Sequence, residues 1–222
     1  MFVFDSIIFN YSDKIILRSV YLSISMNSIV GLFGFNGCGK STLIKIGAGF
    51  LTQKNGNIFI EGKVIENNYS TNRYNYLGYL PQDSFLPKDM TVWEFLKIST
   101  SLNKNLVEDP IINKIINQKI VSLSGGELRY LEILFLFSLD RQYYLLDEPF
   151  TGVEPIYIEK IVYLIQKEKQ KGKGILITDH YHHYVTDIID KCYLMKDGYL
   201  EELDKTKDFR KELLDNGYLA KL

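Results

Sequence analysis

The chain has 222 residues, 46% of them hydrophobic, with 26 basic and 27 acidic side chains and a formal net charge of −1. This is an ordinary globular share of apolar residues, enough for one sizeable core in a single domain spanning 1–222. The balanced charge gives no electrostatic basis for nucleic acid as a partner. The opening MFVFDSIIFNYSDK lacks the basic start and the cleavage site of a secretory signal. No apolar run reaches the roughly 18 residues that a bilayer span requires, so any membrane part must come from another chain. The two cysteines, Cys38 and Cys192, lie far apart without disulfide or metal spacing, which suits a reducing cytosol.

In chain order, Ile15-Ile16-Leu17, Val20, Leu22 and Ile24 predict antiparallel strands. Ile29 to Phe33 predicts a short strand ending in a Gly-rich loop, with a helix from Lys40 to about Gly49. Asn55-Gly56 is a hairpin signal before a strand from Asn57 to Ile60. Tyr76 to Leu80 predicts a further strand, stopped by Pro81. Over about 84–123, Leu96, Ile98, Leu102, Leu106, Ile111, Ile112, Ile115 and Ile116 recur at helical spacing, broken near Pro110. This predicts a short inserted helical subdomain. Ser124 caps a helix to about Ser138, Tyr143 to Asp147 is a buried strand, and Pro155 opens a helix to about Lys171. Ile175 to Thr178 is another strand. Cys192–Lys196, Asp197-Gly198 and Tyr199–Leu203 form a hairpin, and a short charged helix follows Lys205. Alternation of strands and helices predicts an α/β fold with a mainly parallel sheet covered on both faces, beside an N-terminal antiparallel β subdomain.

Between the strand at 29–33 and the helix at Lys40, Gly34-Phe35-Asn36-Gly37-Cys38-Gly39-Lys40-Ser41 fits the phosphate-loop pattern. Glycines let successive backbone N–H groups converge on phosphate oxygens, and the helix N-terminus adds a favourable field for an anion. Lys40 would reach the β- and γ-phosphates, and the Ser41 hydroxyl would bind Mg2+. Cys38, ahead of the helix N-terminus and beside Lys40, is expected to have a lowered thiol pKa. Cys192 is expected to be buried in its strand.

Leu123-Ser124-Gly125-Gly126-Glu127 resembles the LSGGQ signature of ATP-binding cassettes, with Glu in the last place. Tyr143 to Glu148 resembles their Walker B strand, Gln82 stands where they have the Q-loop, and His180 where they have the switch histidine. The order of motifs matches along nearly the whole chain, locally most like cassettes of lipopolysaccharide export and branched-chain amino-acid import. The resemblance implies a P-loop NTPase core that hydrolyses ATP with Mg2+ as a head-to-tail dimer. It implies contacts to ATP from Gly34, Asn36, Gly37, Cys38, Gly39, Lys40, Ser41 and Thr42. The γ-phosphate would meet Ser124, Gly125 and Gly126 of a second cassette subunit. Asp147, Ser41 and Gln82 would serve the metal. Glu148 would accept a proton from the attacking water or orient it, aided by His180 and Gln82. Tyr11, about 29 residues before Lys40, would stack on adenine.

Two features depart from the family pattern. Thr151-Gly152-Val153-Glu154 stands in place of S-x-L-D, so a longer carboxylate, Glu154, is expected at the dimer seam. The helical subdomain is also shorter than in most transporter cassettes. His182 and His183 beside His180 have poor spacing for a metal site. The expected setting is cytoplasmic, peripheral on the inner face of the cell membrane, with a separate transmembrane permease subunit as partner. The alternative is a soluble single-cassette ATPase of the iron–sulfur cluster assembly type. A regulator that does not hydrolyse ATP is disfavoured by Glu148.

Overall fold

The computed structural model describes residues 1–65, 73–99, 104–180, 182–203, 208–215 and 217–218. Leu102 of the predicted apolar series lies outside these residues. Strands β1 (Phe2–Tyr11), β2 (Lys14–Ile24), β4 (Asn55–Ile60) and β5 (Lys63–Val64) form an antiparallel sheet in the order β2-β1-β4-β5. Strands β3 (Ser28–Gly34), β6 (Leu77–Leu80), β7 (Tyr143–Asp147), β8 (Gly174–Thr178), β9 (Lys191–Lys196) and β10 (Tyr199–Glu202) form the second sheet. Its order is β10-β9-β3-β8-β7-β6, parallel except for the edge strand β10.

The alternation of strand side chains explains why β7 and β8 are buried at every residue. Tyr144, Leu146, Ile175 and Ile177 point into one core. Tyr143, Leu145 and Leu176 point into the other. Successive strand residues face opposite sides, so a sheet covered on both faces needs apolar residues at both parities. The first face carries α6 (Gly125–Ser138) and α7 (Pro155–Gln170). The second carries α1 (Lys40–Ala48) and the antiparallel sheet. Burying these side chains is worth about 1.5–3 kcal/mol for each large apolar group.

The insert contains α3 (Val92–Ser99), α4 (Lys104–Val107), α5 (Pro110–Ile115) and a 3-10 turn at Ile120–Ser122. A bridge between Thr91 and Lys119 closes its base. Pro110 starts a helix rather than merely breaking one. It occupies the first turn of α5, where its missing N–H costs nothing, and Asp109 caps the turn by accepting from Ile111 N at 2.9 Å and Ile112 N at 3.2 Å. Tyr130 of α6 donates to the other Asp109 oxygen at 2.9 Å, tying the insert to the sheet domain.

The hairpin expected at Asn55-Gly56 is not there: both residues lie within β4. Gly56 has φ 94, and a Cβ on it would come 2.5 Å from Ser6 O. The glycine therefore serves a close approach to β1, beside the register shift between Asp5 and Ile8, and not a turn. The remaining helices are α2 (Arg73–Tyr76), α8 (His182–Thr186) and α9 (Phe209–Asp215). Among the described residues no helix is long and apolar enough to cross a membrane.

Candidate active site

Parallel strands send the loops after β3, β6, β7 and β8 to one edge of the sheet, and these four are neighbours in the order β3-β8-β7-β6. Ligands of open α/β sheets bind at that carboxyl edge. The loops carry Gly34 to Gly39, Gln82, Glu148 and His180 respectively. A cleft of about 360 Å³ opens there. It is lined by Asn36, Gly37, Gly39, Lys40, Ser41 and Thr42 of the loop and the helix start, by Gln82, Glu148 and His180, and by Tyr11 and Ile16. Its size suits a small-molecule ligand.

The loop after β3 bends where it must. Gly39 has φ 116, and a Cβ there would meet Leu17 at 2.9 Å, so only glycine suits this position. Lys40 opens α1 and is 7% exposed. Its ammonium donates to Gly34 O at 2.6 Å and Phe35 O at 3.2 Å. Tyr11 stays 51% exposed at the rim, edge-on to Phe9 with centroids 4.8 Å apart.

Asp147 ends β7 and is almost wholly buried. One carboxylate oxygen accepts from Ser41 Oγ at 3.1 Å and Thr178 Oγ1 at 2.8 Å. The other is buried without a hydrogen-bond partner. Burial raises the carboxyl pKa, and the bonds from Thr178 and Ser41 offset part of that rise. A carboxylate with an orphaned oxygen beside a serine hydroxyl is a hard, anionic donor pair, which fits Mg2+.

Glu148 sits in the left-handed region at φ 52, an unfavourable conformation for a residue with a side chain. Its own contacts hold it there. Its N–H donates to Thr178 O at 2.8 Å. Its Oε2 accepts from Gln82 Nε2 and Thr151 Oγ1, each at 3.1 Å, while His180 Nε2 lies 3.0 Å from Oε1. Residues 82, 148 and 180, far apart in sequence, thus meet on one carboxylate.

Ser124, Gly125 and Gly126 do not line this cleft. Ser124 caps α6 in a reciprocal box: its Oγ accepts from Glu127 N at 3.2 Å, and Glu127 Oε2 accepts from Ser124 N at 2.9 Å. Glu therefore does capping work at the last signature position. The two glycines have reasons inside the chain. A Cβ on Gly125 would stand 2.8 Å from Gly152 O, and one on Gly126 would collide with the Glu154 carboxylate and the Tyr157 ring.

Cys38 corrects the expectation from its sequence position. Its thiol pKa is raised, because burial outweighs the opposing pull of Lys40. The side chain turns toward the core shared with the antiparallel sheet. Cys192 is fully buried, and burial pushes its thiol up to about 12. A maleimide should therefore modify Cys38 slowly at neutral pH and faster as alkaline pH raises its thiolate fraction, while Cys192 stays unmodified until unfolding. Bound MgATP should slow the Cys38 reaction. Mass spectrometry of the labelled chain measures both, and modification of Cys192 first would contradict this placement.

Sequence patterns missed Arg129. It lies on α6, 7% exposed, and its guanidinium donates to Pro81 O at 2.9 Å, Gln82 O at 2.7 Å, Glu148 O at 3.4 Å and Glu132 Oε2 at 3.0 Å. One cation thus joins the loops after β6 and β7 to the helix that begins at Ser124. A signal existed: Gly126, Arg129, Tyr130, Ile133, Leu136 and Phe137 share one helical face, so the charge falls on the buried stripe. Asp179 was also missed. It is fully buried and accepts from Phe150 N at 2.7 Å, joining the loops after β7 and β8.

Fold and cleft define a P-loop ATPase of the cassette type. The family model for the ABC transporter matches residues 17–151. The chain is 33% identical over 202 residues to the lipopolysaccharide export system ATP-binding protein LptB of Haemophilus influenzae, covering 85% of this chain and 84% of that protein. Among solved structures it resembles MJ1267, an ATP-binding cassette of an ABC transporter, with TM-score 0.84 and 24% identity over 98% of this chain and 96% of that one. It also resembles the cassette MJ0796, solved as a dimer in a post-hydrolysis state with ADP and Pi, with TM-score 0.78 and 20% identity over 92% and 99%. The chain belongs to the ABC transporter family and is an ABC ATPase.

Proposed function

We propose that this ATPase works as a head-to-tail pair and drives transport through a separate membrane subunit. The separation of Ser124, Gly125 and Gly126 from the cleft that holds Lys40 and Glu148 carries this reading. A single chain has one of each half, so a complete site needs two cassettes related by symmetry. The solved dimer of MJ0796 supports it.

In this reading the backbone of Gly34, Asn36, Gly37, Cys38 and Gly39 cradles the phosphates, with Lys40, Ser41 and Thr42 at the helix N-terminus. Tyr11 stacks on adenine at the exposed rim. Ser41 and Asp147 hold Mg2+, with Gln82 alongside. The metal, when bound, neutralises charge on the phosphates. Glu148 orients the attacking water and takes its proton, while His180 and Gln82 fix the carboxylate. Ser124, Gly125 and Gly126 close on the γ-phosphate of the partner. Glu154, lying over Gly126, sits at the seam and couples the two sites.

The membrane contact belongs near Gln82. Phe50, Tyr74, Phe85 and Trp93 are exposed aromatics: Phe50 lies tilted against Tyr79, three residues before Gln82, with centroids 5.4 Å apart, and Phe85 follows three residues after it. Exposed aromatics are enriched in docking surfaces. The cassette would thus sit peripherally on the cytoplasmic face of the membrane.

Affinity purification of the chain from detergent-solubilised membranes tests this proposal. A polytopic membrane protein should copurify, and substituting Phe85 and Trp93 by serine should release it. Recovery of a soluble scaffold protein instead would favour the cluster-assembly alternative and overturn the transport reading.

A further inference from the structure

Helix α9 ends in a turn that redirects the chain. Gly217, at φ 70, donates to Leu214 O, and Tyr218 N donates to Leu213 O, both at 2.9 Å. Leu213 is fully buried in the larger core and anchors this turn. Tyr218 is thereby aimed at the end of β3. Its ring stands edge-on to Phe33 and Phe35, with centroids 6.0 and 5.4 Å away. Its phenol is hydrogen-bonded to the backbone of Gly34.

Gly34 and Phe35 are the two residues whose carbonyls hold the Lys40 ammonium, at 2.6 and 3.2 Å. A loop with glycines at 34, 37 and 39 has more backbone freedom than a glycine-free segment of its length. Unless something fixes it, ordering that loop is a cost of ligand binding. The other end of α9 touches the helix after His180: Arg210 Nη2 donates to His183 O at 3.4 Å and Asp187 Oδ1 at 3.2 Å. That exposed contact orients α9 but contributes little energy.

We propose that Tyr218 is a positioning residue for nucleotide binding: its ring on Phe35 and its hydroxyl on Gly34 hold the phosphate loop in the shape that presents Lys40. The proposal rests on the reading of Lys40 as the cation that meets the phosphates. The carboxy-terminal segment is then part of the ATP site without touching ATP. Glu148 is held by Gln82, Thr151 and His180, so affinity should respond more than the chemical step.

The test is titration of MgATP into the full chain, with melting temperature and saturated turnover measured in parallel. Tyr218→Ala should weaken MgATP binding about three- to tenfold, because only part of the worth of the ring contacts and the hydrogen bond goes into ordering the loop. Tyr218→Phe keeps the ring and should weaken binding about twofold, a partial rescue. Turnover at saturating ATP should change less than affinity. A residue that only stabilises the fold would lower the melting temperature and leave the folded protein's affinity unchanged, which overturns the proposal. If Tyr218→Ala does not fold, Tyr218→Phe decides, and wild-type affinity there overturns it. Lys40→Ala serves as the control. If it binds MgATP as tightly as wild type, the reading of the loop fails. If it loses binding while both Tyr218 variants keep theirs, only the role of Tyr218 fails.

Discussion

Glu148→Gln should bind MgATP with affinity close to wild type and turn it over at least about 100-fold more slowly, the usual contribution of a general base or water-orienting group. The substitution keeps size and shape at a largely buried position on the cleft wall, so packing is preserved. What it removes is acceptor capacity. Glu148 Oε2 accepts from both Gln82 and Thr151, and Oε1 faces His180. A glutamine side chain has one acceptor oxygen and an NH2 that can only donate. The oxygen that replaces Oε2 can still accept from Gln82 and Thr151, but the atom facing His180 can no longer accept, and the group able to take a proton is lost. Lys40, Ser41 and the loop backbone are untouched, so binding survives. The ATP-loaded variant should accumulate as a dimer in size-exclusion chromatography. Normal turnover would remove Glu148 from its assigned role, and a monomer at high protein and ATP concentration would contradict the paired-cassette reading.

Arg129→Ala should destabilise the chain by about 3–5 kcal/mol, the usual cost of breaking a buried ion pair from one side. Glu132 is 1% exposed and would be left without its cation. The carbonyls of Pro81, Gln82 and Glu148 would lose their donor as well. Turnover should fall beyond the loss of stability, because the loops carrying Gln82 and Glu148 would no longer be fixed to α6. Arg129→Lys should be intermediate, since a point charge cannot reach four acceptors in a planar fork. The double variant Arg129→Met with Glu132→Met separates the two effects: it should regain much of the stability and little of the turnover. Urea denaturation and a saturated ATPase assay measure these quantities. A cost below about 1 kcal/mol for Arg129→Ala would mean that water replaces the guanidinium, as at an exposed pair.

The local signals in this sequence are strong because the chemistry is local. A loop that brings consecutive N–H groups to an anion needs Gly37, Gly39 and Lys40 as neighbours in the chain. An N-cap needs Ser124 three residues before Glu127, and a doubly covered strand needs an unbroken apolar run such as Tyr143 to Leu146. Period, composition and capping residues were therefore enough to place the α/β class, the parallel sheet, the antiparallel subdomain and the helix starts at Lys40, Gly125 and Pro155. Asn55-Gly56 misled because the same dipeptide satisfies a turn and a close strand approach, and only the position of Ser6 O distinguishes them.

The sequence by itself determined the family, the phosphate loop and the identities of the residues after each strand, since each depends on side chains within a few positions of one another. Tertiary structure decided how they act on each other. Only the order β3-β8-β7-β6 brings Gln82, Glu148 and His180 onto one carboxylate. Only packing makes Arg129 a buried hub rather than half of a solvated i,i+3 pair. Burial reversed the expected shift at Cys38, and a turn at Gly217 put Tyr218 behind the loop that begins at Gly34. Desolvation and long-range hydrogen bonding are properties of what surrounds a group in space, and the residues that surround these groups lie tens to hundreds of positions away along the chain.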